Sequence, residues 1–175
     1  NAFIEAVENN QFKVIQWLYE IEHFNFYLYN NYVFQESCKH GNLDMCKWIF
    51  SIGKINIHFN DFSGFIYACE YGNLHIIEWL DEINIYQNKL DYNYGFKIAC
   101  FNDNLHVMKW LYSNKEIDIT QKKNYVFLLA IKMEHVNILD WLYKECELDI
   151  HCNNDEGYII AAKYNSIESL KWLFS

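Results

Sequence analysis

The chain has 175 residues and a formal net charge of −9; 14 lysines supply its whole positive charge, for it contains no arginine and no proline. That balance argues against nucleic-acid binding, which rests on a positive footprint and on bidentate arginine contacts. Hydrophobic residues make up 52% of the chain, yet no apolar run approaches the roughly 18 residues that span a bilayer and no signal-peptide pattern opens it, so no membrane segment is expected.

Tryptophan recurs at Trp17, Trp48, Trp79, Trp110, Trp141 and Trp172, each 31 residues from the next. Such spacing is the mark of one structural unit copied along the chain. The copies run over about 2–32, 33–63, 64–94, 95–125, 126–156 and 157–175. Each opens on an aromatic (Phe3, Phe34, Phe65, Phe96, Phe127, Tyr158) followed three residues later by a small residue (Ala6, Ser37, Ala68, Ala99, Ala130, Ala161). This opening stretch suits a short helix that is stable only when packed. Seven residues before each tryptophan stand Asn10, Gly41, Gly72, Asp103, Glu134 and Asn165. Gly and Asn tolerate the left-handed conformation that closes a helix, Asp less readily, and Glu134 poorly. Asn42, Asn73, Asn104 and Ser166 follow as N-caps of a second helix. Gln11 and His135 are weaker caps, so looser turns are expected in the first and fifth copies.

The second helix carries the tryptophan and is apolar over more than half its circumference, which predicts that neighbours sandwich it. Its polar positions include Lys47, Glu78, Lys109, Asp140 and Lys171, directly before tryptophan. The indoles should form a half-buried ladder, each lying on the adjacent copy. Between helix pairs an alternating apolar pair (Ile55/Ile57, Ile117/Ile119, Leu148/Ile150) reads as an extended arm, and Asp61-Phe62-Ser63-Gly64 and Asp155-Glu156-Gly157 as turns. The chain ends on Trp172, Leu173 and Phe174 without the polar outer face that a terminal copy needs, so the array is expected to continue.

Six cysteines and seven histidines contain no Cys-x-x-Cys pair and no zinc-finger spacing. Cys38, Cys69 and Cys100 share one column and read as compact packing residues of a reduced, intracellular chain. Neither metal nor cofactor is expected.

Helix, tight turn, helix and extended loop together resemble ankyrin repeats. The best-matching segment is Ala68-Cys69-Glu70-Tyr71-Gly72-Asn73-Leu74-His75-Ile76-Ile77-Glu78-Trp79-Leu80, which is similar to the family's Ala-Ala-x-x-Gly-His-Leu-x-x-Val-x-x-Leu core. Ile117-Asp118-Ile119 and Leu148-Asp149-Ile150 are similar to its Ala-Asp-Val element. The Thr-Pro-Leu-His opening is absent, and each copy is shorter than the usual 33 residues. The Lys109-Trp110-Leu111-Tyr112 style looks most like arrays of giant amoeba-infecting viruses and AT-rich protists. The resemblance implies an all-α solenoid of stacked helix-turn-helix repeats with short extended loops. Tetratricopeptide and HEAT arrays need longer helices than this period provides.

Ankyrin resemblance further implies a non-catalytic, monomeric, cytoplasmic scaffold that binds a protein partner. The place to look is where the copies disagree. Nine and eight residues before tryptophan lie Lys39 and His40, Glu70 and Tyr71, Phe101 and Asn102, Lys132 and Met133, and Lys163 and Tyr164. By analogy these line the inner groove, with Phe59 and Tyr92 added from loop tips. Their aromatic residues are of the kind enriched at interface hot spots. A catalytic reading finds no nucleophile elbow, Walker loop, dinucleotide fingerprint or His-Glu-x-x-His. His75 and His106 share an outward polar column, as do the carboxylates of Glu78 and Asp140. A spacer or virion component without a specific ligand is the alternative to a partner-binding scaffold.

Overall fold

The computed structural model describes residues 2–21, 29–52, 62–83 and 90–175, and of residues 121–123 the backbone alone. The described secondary structure is all helical, with no strand among the described residues. In chain order the helices are α1 (Ala2–Glu8), α2 (Phe12–Glu20), α3 (Asn30–His40), α4 (Leu43–Ser51), α5 (Ser63–Glu70), α6 (Leu74–Glu82), α7 (Tyr92–Phe101), α8 (Leu105–Asn114), α9 (Gln121–Met133), α10 (Val136–Glu145), α11 (Cys152–Tyr164) and α12 (Ile167–Leu173). Each odd-numbered helix packs against the even-numbered one that follows it. Packing divides the chain into two compact units, Asn1–Asp91 and Tyr92–Ser175. In the first, α3 packs on both α1 and α5; in the second, α9 packs on both α7 and α11, and α10 on α12.

All six helix-to-helix turns use one device. The residue seven before tryptophan has positive φ in every copy: Asn10 54°, Gly41 71°, Gly72 72°, Asp103 58°, Glu134 60° and Asn165 57°. The next residue donates its N–H to the carbonyl five residues back, as in Gln11 to Ala6 at 2.7 Å, Asn73 to Ala68 at 2.8 Å and His135 to Ala130 at 3.0 Å. The looser turns expected at Gln11 and His135 do not occur, because the backbone bond closes the turn whatever side chain follows. Glu134 therefore bears the left-handed strain that glycine avoids at Gly41.

The expected N-caps are corrected too. Only the Asn42 side chain caps its helix, accepting from the Met45 N–H at 3.0 Å. Asn73 Nδ2 instead reaches back to the preceding copy, donating to the carbonyls of Cys38 at 2.8 Å and Lys39 at 2.9 Å. Ser166 Oγ donates to the Lys132 carbonyl at 3.3 Å and Ser169 Oγ to the Ile131 carbonyl at 2.8 Å. The Cys38, Lys39 and Lys132 carbonyls lie in the last turn of their helices, where intrahelical donors run out. The Ile131 carbonyl also accepts from the Glu134 N–H at 3.2 Å. Each inter-copy bond ties two copies together.

The repeated columns form the core. Phe3, Phe34, Phe65, Phe96 and Phe127 are buried, as are the small residues of the next column. Cys38, Cys69 and Cys100 are fully buried free thiols. Burial pushes the Cys100 thiol up to about 12 and raises Cys38 and Cys69 as well. Such thiols stay protonated and pack as small apolar groups.

The indoles differ more than expected. Trp79 and Trp141 are buried, Trp48, Trp110 and Trp172 intermediate, and Trp17 is 62% exposed. Where a preceding copy lies in the same unit, the indole rests on its aromatics. Trp48 meets Phe12 and Tyr19, Trp79 meets Phe50, Trp141 meets Phe96 and Tyr112, and Trp172 meets Phe127 and Tyr143, at ring-centroid distances of 5.3–6.5 Å. Most of these contacts are edge-to-face, each contributing about 0.5–1.5 kcal/mol beyond area burial.

The arms between helices are described in the second unit. Lys115–Thr120 and Cys146–His151 carry no ladder, and each is closed by an aspartate. Asp118 Oδ1 accepts from the Thr120 N–H at 2.9 Å, and Asp149 Oδ1 from the His151 N–H at 2.9 Å. The arm expected at Ile55/Ile57 lies outside the described residues.

Candidate functional site

The first helix of each copy has one buried and one open face. The packing columns occupy one side. The other carries residues spaced i, i+3 and i+7, which share a face at 3.6 residues per turn. On α7 these are Tyr94, Lys97 and Phe101; on α9 Tyr125, Leu128 and Lys132; on α11 Glu156, Ile159 and Lys163. The residue pairs singled out by variation between copies fall on the last turn of this face or just past it. Tyr71, Phe101 and Tyr164 are each nearly half exposed, and His40, Asn102, Lys132 and Lys163 are exposed. Lys39, Glu70 and Met133 are intermediate.

Of the two residues expected from loop tips, one is described. Phe59 lies outside the described residues. Tyr92 is the first residue of α7 rather than a loop tip, and the Lys115 ammonium sits 4.8 Å from its ring centroid. That contact ties Tyr92 to the arm that begins at Lys115.

In the first unit the open face carries Glu8, Lys39 and Glu70 and is internally paired. Glu36 holds Lys39 at 3.2 Å and lies 3.6 Å from His40, whose Nε2 meets the Glu8 carbonyl at 3.0 Å. Tyr32 donates to Glu8 Oε1 at 3.0 Å. Burial, that bond and the Glu36 and Glu8 charges push the Tyr32 hydroxyl up to about 12. Lys39 is raised above its ordinary value, chiefly by the Glu36 bond. Its ammonium also lies 5.9 Å from the Tyr71 ring centroid, linking the second and third copies.

The second unit differs. The Lys97 ammonium lies 4.5 Å from the Tyr125 ring centroid and 6.0 Å from that of Tyr94. Lys132 and Lys163 converge on one ring, at 4.5 and 5.5 Å from the Tyr164 centroid. Ile159 stands open beside them at 62% exposure. Tyr94, Lys97, Tyr125 and Ile159 were not among the residues that sequence variation marks. Helices α7, α9 and α11 begin four or more residues before the opening aromatic, and carrying the i, i+3, i+7 spacing back from Phe101, Lys132 and Lys163 would have found them.

Of the column histidines, His75 is bonded rather than free, its Nε2 meeting the Gly41 carbonyl at 2.9 Å. His135, in the turn before α10, meets the Phe101 carbonyl through Nε2 at 3.1 Å. Asp140 is not simply wetted: its Oδ1 accepts the Trp172 indole N–H at 2.7 Å. Among the described residues no cluster of three or more His, Cys, Asp or Glu side chains could hold a metal, and no helix is long and apolar enough to cross a membrane. Compared with known proteins, the sequence matches no family model and no curated protein.

Proposed function

We propose that this chain is an ankyrin-like α-solenoid acting as a non-catalytic scaffold that binds a protein partner through the open face of its first helices. One observation carries the reading. The phenylalanines and small residues that recur at the opening of the copies are buried, while the positions that vary present half-exposed aromatics and lysines on rigid helices. Constant packing with free variation on one face is how a repeat array builds a specific surface, and exposed aromatics supply contact area at low entropy cost. The turn supports the ankyrin-like part: six left-handed residues close six helix hairpins on the same backbone bond. A cytoplasmic location, in a viral or protist setting, goes with the free buried thiols, which suit a reducing compartment.

The spacer alternative has its own support, because Lys39 over Tyr71 and Lys132 over Tyr164 already satisfy each other between copies. Selection of a random displayed peptide library on the purified chain separates the two. A scaffold should yield peptides whose binding weakens about tenfold or more when Phe101→Ser and Tyr164→Ser are combined. If every recovered peptide binds the double variant as well as the parent, the face is not the recognition surface and the spacer reading takes over.

A further inference from the structure

We infer that the open face of α7, α9 and α11 takes an acidic peptide segment, in extended form, whose inward-facing residues, every second one along it, alternate between carboxylates and apolar side chains. This rests on the scaffold reading and narrows its partner.

The charge pattern comes first. Lys39, Lys144 and Lys171 each hold a carboxylate at 3.2, 3.1 and 2.7 Å. Lys97, Lys132 and Lys163, all on this one face, have no carboxylate within 4.0 Å among the described residues. They rest instead on tyrosine rings. The face holds one carboxylate, Glu156, at its edge on α11. In a chain of net charge −9, three unneutralised ammoniums gathered on one surface are a local reversal of sign. The equivalent face of the first unit differs: its last-turn positions hold Glu8, Lys39 and Glu70, and Lys39 is already paired with Glu36.

Geometry adds to charge. Two ammoniums sharing the Tyr164 ring repel each other, and a carboxylate placed between them relieves that repulsion. A lysine seated on a ring has lost part of its rotamer freedom before any ligand arrives, which lowers the cost of binding. Between the cations lie open apolar groups, Phe101, Tyr125, Ile159 and Tyr164. Alternation of cation and apolar group across the three helices matches an extended chain in which every second residue, all on the side that meets the helices, is in turn acidic and apolar. A polyphosphate strand fits less well: it prefers bidentate arginine and a broad positive field, and this chain offers neither.

The test uses the whole chain and a short fluorescent peptide repeating Glu-Ser-Leu-Ser, with glutamine and lysine counterparts in place of glutamate, read by anisotropy. The glutamate peptide should bind and the lysine one should not. Combining Lys97→Glu, Lys132→Glu and Lys163→Glu should weaken binding about tenfold or more. The same three charge reversals placed at Lys109, Lys144 and Lys171 should leave it within about twofold, with helical content unchanged in both variants. Equal binding of the glutamine peptide, lost on Phe101→Ser with Tyr164→Ser, overturns the acidic assignment and leaves the scaffold reading standing. No binding by the glutamate peptide, equal loss in both triple variants, or tighter binding of a single-stranded oligonucleotide than of the peptide also overturns it.

Discussion

At Asp140 two donors meet one carboxylate: the Trp172 indole at 2.7 Å and the Lys144 ammonium at 3.1 Å. The indole bond first, then the lysine, hold this carboxyl below the ordinary aspartate value of 3.8. A folded-state value below the unfolded one means the unfolded chain takes up its proton first as pH falls. The stabilisation is therefore complete above the ordinary value and is lost as pH drops through the folded one. Because the side chain is 44% exposed, solvent screening keeps the effect small. Urea unfolding of the parent and Asp140→Asn should differ by a constant amount above about pH 5, and that gap should close below about pH 4. A gap independent of pH would show that the bond to Trp172 does not depend on the charge. The sequence could not reveal this role. Asp140 sits in a polar column beside lysines and a glutamate, and its main partner lies in the following copy.

Helix hairpins were readable in outline because their columns recur, yet the reasons for particular residues were not always visible. Gly64 looked like a turn glycine within Asp61-Phe62-Ser63-Gly64. In the structure the left-handed residue is Phe62, with φ of 66°, and Gly64 is the buried second residue of α5. A Cβ there would lie 2.6 Å from Phe34 Cε1 and 3.2 Å from Cys38 Sγ. The glycine serves close approach between copies, and Gly157 against Ile131 and Phe127 does the same. Two effects compete in Gly64→Ala. Better helix propensity favours alanine by about 1 kcal/mol, while overpacking against a buried ring costs about 1–3 kcal/mol. The ring is fully enclosed, so the clash should win, with a net loss of about 1 kcal/mol or more in urea unfolding. An unchanged or higher midpoint would mean that Phe34 can turn aside. The inter-copy bonds of Asn73 and Ser166 escaped notice for the same reason: capping chemistry is local and can be read along the chain, but a staple to a carbonyl more than 30 residues away is not.

Across the chain, what sequence periodicity conveys is sameness, and what it hides is environment. All six tryptophans hold the same position in their copies, but Trp17 is 62% exposed while Trp141 is 7% exposed. The difference lies in the neighbour. Trp141 rests on Phe96 at 6.1 Å and on Tyr112 at 5.5 Å, both supplied by the copy before it, whereas no copy precedes Trp17 within these residues. Val14, three residues before Trp17, repeats the contrast: it is 44% exposed, while Met45 and Ile76 in the same column are fully buried. Burial is thus a property of adjacent pairs rather than of any one copy, as nearest-neighbour stability requires. The same indole-to-methyl change should then have unequal costs. Trp141→Ala removes a buried ring and two aromatic contacts, and should cost about 3–5 kcal/mol. Trp17→Ala removes mostly solvated surface and should cost less than about 1 kcal/mol. Chemical unfolding of the two variants under one buffer compares them directly. Equal losses would mean that each copy carries its own stability, and the account of burial given by neighbours would have to be abandoned.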